Sequence, residues 1–347
     1  MSHSVGLERV LVTGANGFIG AALGRRLVHE GVRVAGVVRR SEAARELPRG
    51  VEPILVGDFR DSAALDGALM RAGFRSFDAV VHLAARVHQM RETASDPLAS
   101  YRETNTLATR RLARWAAHRG ARRFVFVSSV KVHGEGTAWG ESPRTYVESD
   151  LPEPRDPYGI SKWEAEQELE RVAASTALQT VVLRPTLVYG PGVRANFLEL
   201  LRLVRSGWPL PLGGVSNARS LVHIENLVDA IRASLGHPRA VGETFLVSDD
   251  EHLSTPELIR HMASGMGIQP RLISCPPALL VWVGRCTGRS AAVSRILGSL
   301  RVSNQKIRDR LDWRPPFSAH QGLEATANWY ATVGRAGLNA PSDRRAA

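Results

Sequence analysis

Tyr158 and Lys162, four residues apart in "DPYGISKWEAEQELERV", are side chains of the types a proton shuttle needs. Asp156 is placed to cap a helix whose first position is Pro157, and the spacing then sets Tyr158 and Lys162 on one helical face. There the lysine ammonium is expected to favour the phenolate and to lower the tyrosine pKa from its reference value of ~10. Upstream, "FVFVSSVKVHG" reads as a strand ending in Ser128 and Ser129. A Tyr-x-x-x-Lys pair alone arises often by chance. Lysine is rare here, however: of 45 basic residues only Lys131, Lys162 and Lys306 are lysines.

The second chemical feature is "TGANGFIG", which places Gly14, Gly17 and Gly20 three apart as an apolar strand turns into a helix. The first glycine allows the tight turn, the second lets backbone approach a pyrophosphate, and the third lets helix and strand pack closely. The free N–H groups of the helix start then face the phosphates, with Asn16, Phe18 and Ile19 between the glycines as further contacts. This predicts a dinucleotide site.

These residues need a scaffold that brings strand ends together. Apolar runs "RVLVTG", "VRVAGVV", "PILVGD", "DAVVHLA", "RRFVFVSS" and "QTVVLRP" alternate with amphipathic helical segments. That order predicts an α/β fold, a Rossmann-type doubly wound parallel sheet with helices on both faces and a smaller C-terminal substrate-binding lobe. The expected division is a dinucleotide-binding domain over residues 5–184, with 220–250 rejoining it, a substrate lobe mainly over 185–333, and a loose tail at 334–347.

Composition narrows the function classes. With 347 residues and 44% hydrophobic content the chain has ample material for a core. Cys275 and Cys286 lack metal-ligand or disulfide spacing, so no metal site is expected and a reducing cytoplasm fits. No apolar run reaches the ~18 residues of a membrane span. The formal charge of +11 comes from scattered arginines without a nucleic-acid-binding motif, which favours a small phosphorylated substrate over nucleic acid.

Together, the glycine loop and "PYGISK" resemble the extended branch of the short-chain dehydrogenase/reductase superfamily, from Val10 to about Tyr330. The resemblance implies a catalytic set of Ser129, Tyr158 and Lys162, with Ser129 holding the reacting carbonyl and touching substrate together with Tyr158, and with Lys162 also binding the nicotinamide ribose. It further implies cofactor contacts at Asp58, Phe59, Leu83, Ala84, Ala85, Asn105, Pro185 and Val188. The rival reading of Asp58 is a loop or cap residue before the following helix, the cofactor contact being preferred. In the lobe, Asn196 and Arg219 match positions that contact the phosphates of a UDP-sugar. Leu187 stands where many relatives carry Asn, and His133 where many carry Tyr or Asn. His133, Arg86 and His88 stay outside the catalytic set.

One position departs from expectation. Arg39, followed by Arg40, closes the second strand about twenty residues after Gly20, where a carboxylate would bind the 2'-hydroxyl of NAD. An arginine there attracts a 2'-phosphate, so NADP(H) is favoured and NAD(H) remains possible. The resemblance is strongest to the bacterial 4-keto-sugar reductase type and so implies first a reductase of the 4-keto group of a UDP-linked 6-deoxy-amino sugar in surface polysaccharide synthesis. The alternatives are a UDP-hexose 4-epimerase with bound NAD and, from another class, a non-catalytic dinucleotide sensor. A homodimer through the helices around Tyr101–His118 and after Pro157 is expected by resemblance.

Overall fold

A computed structural model describes residues 6–87 and 96–332; the tail and His88 lie outside the described residues. The first half alternates as the apolar runs predict: β1 (Arg9–Thr13), α1 (Phe18–His29), β2 (Arg33–Val38), α2 (Ser41–Ala44), β3 (Val51–Leu55), α3 (Ser62–Arg71) and β4 (Ala79–His82). Next come α4 (Pro97–Tyr101), a π-helical turn (Arg102–Leu107) and α5 (Ala108–His118), which follow one another without a break. β5 (Arg123–Val127), β6 (Thr145–Tyr146), α6 (Pro157–Ser175) and β7 (Gln179–Pro185) complete this half.

The main sheet has seven strands. With β10 (Thr244–Val247) at one edge, its order is β10-β7-β5-β4-β1-β2-β3, and every pairing is parallel. The chain winds outward from β1 to β3 and returns to pair β4 against β1, which opens the switch-point crevice where such sheets bind ligands. Alternation along the strands fills two cores. Val10, Val12, Val81 and Val125 point to one face, and Leu11, Val80, Phe124 and Phe126 to the other. Pro53 is tolerated because β3 is the edge strand.

After Pro185 the chain leaves the sheet. β8 (Leu187–Tyr189), α7 (Ala195–Arg205) and β9 (Arg219–His223) lead to α8 (Ile224–Gly236), and β11 (His252–Leu253) and α9 (Thr255–Gly265) follow β10. The last elements are α10 (Pro277–Cys286), α11 (Ser290–Leu297), β12 (Arg301–Val302), α12 (Gln305–Leu311) and α13 (Ala319–Thr332). α8 lies against β5, where Arg123 Nη1 donates to Ser234 O at 2.6 Å, and β10 pairs with β7. β9 instead lies between β8 and β11 in a three-stranded sheet, because its partner β8 has already turned away after Pro185. Phe197, Leu201, Ile259, Met262 and Leu323 form the core of this lobe.

Candidate active site

The start of α6 is built as its sequence predicts. Asp156 Oδ1 accepts the Gly159 N–H at 2.6 Å and Pro157 opens the helix, so Tyr158 and Lys162 stand one turn apart. Lys162 runs inward and is buried, its Nζ donating to Val127 O at 2.7 Å and lying 4.1 Å from the centre of the Phe126 ring. Burial pulls its pKa down to about 7, with the Glu166 carboxylate opposing. Val127 ends β5, two residues before Ser129. The Ser129 hydroxyl accepts the Lys131 N–H at 3.2 Å and also forms a side-chain hydrogen bond with Tyr158. The three residues of the expected catalytic set therefore converge at the carboxyl end of β5.

The expected electrostatics of Tyr158 need correction. Although the residue keeps a partly exposed surface, burial pushes its phenol up to about 12, and the Asp156 charge adds to the shift while the Ser129 hydrogen bond opposes it. Shared helical face does not mean shared aim: the Lys162 ammonium is directed at the Val127 carbonyl. In this state the phenol holds its proton.

A buried polar network lies behind the set. Ser128 Oγ donates to Glu166, Arg184 Nη2 donates to Glu166 Oε2 at 2.6 Å, and Arg184 Nη1 is 2.8 Å from His133 Nε2. Lys131 pairs with Asp156 and, at 3.1 Å, with Glu135, joining the turn after Ser129 to the cap of the Tyr158 helix. Sequence reading missed Glu166 and Arg184. Two signals were available: Glu166 lies four residues after Lys162, and Arg184 is a charge inside an otherwise apolar strand.

A dinucleotide fits the other side of the crevice on structural grounds. Gly14 has φ of +71°, and a Cβ there would lie 2.9 Å from Ala84 N; a Cβ on Gly20 would lie 2.2 Å from Gly14 O. Both positions exclude any larger residue. Gly17 precedes α1 as a cap without a side chain, so the N–H groups of Phe18, Ile19 and Gly20 are left for an anion. Asn16 Nδ2 donates to Glu46 Oε2 at 3.0 Å beside this loop.

Across the loop, Leu83, Ala84 and Ala85 follow β4, and the Ala84 N–H donates to Thr13 Oγ1 at 3.3 Å. Asn105, in the π-helical turn, accepts the Arg86 N–H at 2.8 Å and donates to Ser161 Oγ at 2.9 Å, tying this wall to α6. His82, a further residue that sequence reading missed, bridges Thr13 at 2.6 Å and Thr109 at 3.1 Å.

The remaining expected contacts are more dispersed. Asp58 forms a salt bridge with Arg60 at 2.6 Å, which holds its carboxyl below the usual range, and Phe59 meets His82 edge-on. Arg39 and Arg40 are exposed at the end of β2. Pro185 is buried and Val188 half-buried at the exit toward β8. Asn196 is exposed in the first turn of α7, after Ala195 with φ of 54°. Arg219 Nη1 is engaged by Arg295 O at 2.8 Å and Gly298 O at 3.0 Å, leaving its other N–H groups for a ligand.

The buried histidines predict acid sensitivity. Burial holds His82 down to about 3 and His133 and His223 down to about 4, against a reference of 6.5. Below pH 6.5 the unfolded chain takes up protons that the native state refuses, so this stability is complete above 6.5 and is lost as pH falls toward 4. Asp249, raised to about 6 by burial, works in the opposite direction. For these four groups the difference is an uptake of about two protons on unfolding near pH 5, or about 2.7 kcal/mol per pH unit. Urea unfolding across this range measures the slope, and a flat profile would contradict these assignments.

A parallel sheet with a glycine cradle at its switch point and a Ser, Tyr, Lys set at the next strand end defines a dinucleotide-dependent enzyme of the extended short-chain dehydrogenase/reductase kind. More narrowly, the chain belongs to the NAD dependent epimerase/dehydratase family, whose sequence profile matches residues 10–248. It is 38% identical over 323 residues to a UDP-glucose 4-epimerase of Vibrio cholerae, covering 92% of this chain and 94% of that one. An N-acetyl-alpha-D-glucosaminyl-diphospho-ditrans,octacis-undecaprenol 4-epimerase of Escherichia coli O157:H7 is 28% identical over 342 residues, with 93% and 95% covered. Among solved structures, Thermus thermophilus UDP-glucose 4-epimerase in complex with NAD superposes with a TM-score of 0.71 at 25% identity, covering 93% of this chain and 99% of that one. Membership in this enzyme family sets aside the sensor reading.

Proposed function

We propose that this protein is a UDP-hexose 4-epimerase that works with a nicotinamide dinucleotide in the cytoplasm. The observation that carries the reading is the convergence of Ser129, Tyr158 and Lys162 beside the glycine cradle, in a chain 38% identical to a UDP-glucose 4-epimerase. A bound dinucleotide supplies the acceptor and donor of hydride. Tyr158 takes the proton of the C4 hydroxyl as a phenolate, a form that the filled site has to favour over the protonated phenol of the empty one, and returns it when C4 is reduced again, while Ser129 holds the C4 oxygen. Lys162 provides the nearby cation and Asn196 and Arg219 bind the diphosphate, the guanidinium in a planar, forked contact. A homodimer through α5 and α6 follows from the family resemblance, and a monomeric mass by light scattering would refute it.

Net reduction of a 4-keto sugar is the second reading. Arg39 and Arg40 favour it, because an exchangeable NADPH suits a reductase. The purified protein is to be incubated with UDP-glucose, UDP-galactose and their N-acetylamino counterparts, with NAD or NADP. Epimers are expected to interconvert with no net change in nicotinamide absorbance. Stoichiometric consumption of NADPH with a 4-keto sugar, without interconversion, would replace the epimerase by the reductase. If Arg39 reads a 2'-phosphate, Arg39→Asp weakens NADP binding by roughly ten-fold or more and spares NAD. Equal effects on both would make Arg39 ordinary surface charge.

A further inference from the structure

The outward side of α10 is apolar. Leu279, Trp282, Val283 and Cys286 recur at the spacing of one helical face and are exposed, with Leu279 at 49% and Trp282 at 62%. The opposite face, Leu280, Val281 and Gly284, packs inward on the lobe core and on Val293 of α11. Trp208, 73% exposed, and Ile273 stand on segments stitched together by Leu210 N to Arg271 O at 2.8 Å and Ile273 N to Leu210 O at 2.9 Å.

The segment that carries this face bears charge of one sign. From Leu258 to Arg308 the sequence has no Asp or Glu, while Arg271, Arg285, Arg289 and Arg295 are exposed. None of these four forms a salt bridge among the described residues. An apolar stripe containing tryptophan, flanked by arginines that no carboxylate answers, has the composition of a helix lying in a lipid headgroup layer. A second copy is a poor occupant, since it would set arginine against arginine.

We propose that the α10–α11 face docks on an anionic lipid bilayer, with Leu279, Trp282 and Val283 entering the interface and Arg285 and Arg289 meeting lipid phosphates. α11 also links this face to the lobe interior, because Arg219 bonds to Arg295 O and Gly298 O. Docking therefore brings the candidate diphosphate site close to the membrane surface. That last consequence rests on the proposed function; the docking itself does not.

Co-sedimentation of the full chain with vesicles of phosphatidylcholine, alone or mixed with phosphatidylglycerol, tests the proposal without an activity assay. The protein is expected to pellet with the mixed vesicles only, and to be released by salt. Arg285→Gln with Arg289→Gln should lower the vesicle affinity about 30-fold. Leu279→Gln with Trp282→Gln should abolish pelleting while leaving thermal unfolding and dinucleotide binding unchanged. A wild-type protein that stays in the supernatant overturns the proposal, as does unaltered pelleting of the Leu279/Trp282 variant. So does a fall in oligomer mass in that variant by light scattering, which would assign the face to a second copy.

Discussion

Tyr158→Phe is expected to lower kcat for 4-epimerisation by about 1,000-fold while dinucleotide affinity stays within a factor of a few. The hydroxyl is the only atom removed, and its one side-chain hydrogen bond is with Ser129, so the fold loses no more than about 1 kcal/mol. The phenol stands where β5 ends and α6 begins, and burial pushes its pKa up to about 12. Lys162 is turned to Val127 O, and Ser129 accepts the Lys131 N–H. Steady-state kinetics with dinucleotide titration measures both quantities. A loss below about ten-fold would remove Tyr158 from the proton path.

The largest stability effect is expected from Arg184→Met. It would leave the Glu166 carboxylate buried without its bidentate partner, and such breaks cost about 3–5 kcal/mol. Replacing both residues, Glu166→Leu with Arg184→Met, should recover more than half of that loss, because no buried charge is then stranded. Urea unfolding of the two single variants and the double variant gives the coupling directly. Additive costs would show that the pair is not a unit. Ser128 and His133 lose a partner in these variants, so a change in kcat accompanying an intact dinucleotide affinity would reveal that the network positions the strand end carrying Ser129.

Features set by neighbouring residues were legible in the sequence. The three glycines, the Asp156 cap with Pro157, and the one-turn spacing of Tyr158 and Lys162 depend on local geometry, and each stands where the pattern placed it. What depends on residues far apart in the chain was not legible. His82 reaches Thr13 across 69 positions, and Ser128 reaches Glu166 across 38. Periodicity carries no information about either partner. The pKa of Tyr158 belongs to the same class, because helical spacing fixes the face on which Lys162 sits but not the carbonyl that captures its ammonium. Reductase and epimerase use the same side chains, and likeness to known epimerases, not the motif, moves the balance between them.

The bridge from Lys131 to Asp156 and Glu135 bears on how the enzyme tolerates an empty site. It clamps the loop bearing the serine to the first turn of the helix bearing the tyrosine, using groups on the protein alone. The spacing of the Ser129 and Tyr158 hydroxyls is thus a dimension of the scaffold, like the bore of a tool, and does not have to be reset each time a ligand arrives or leaves.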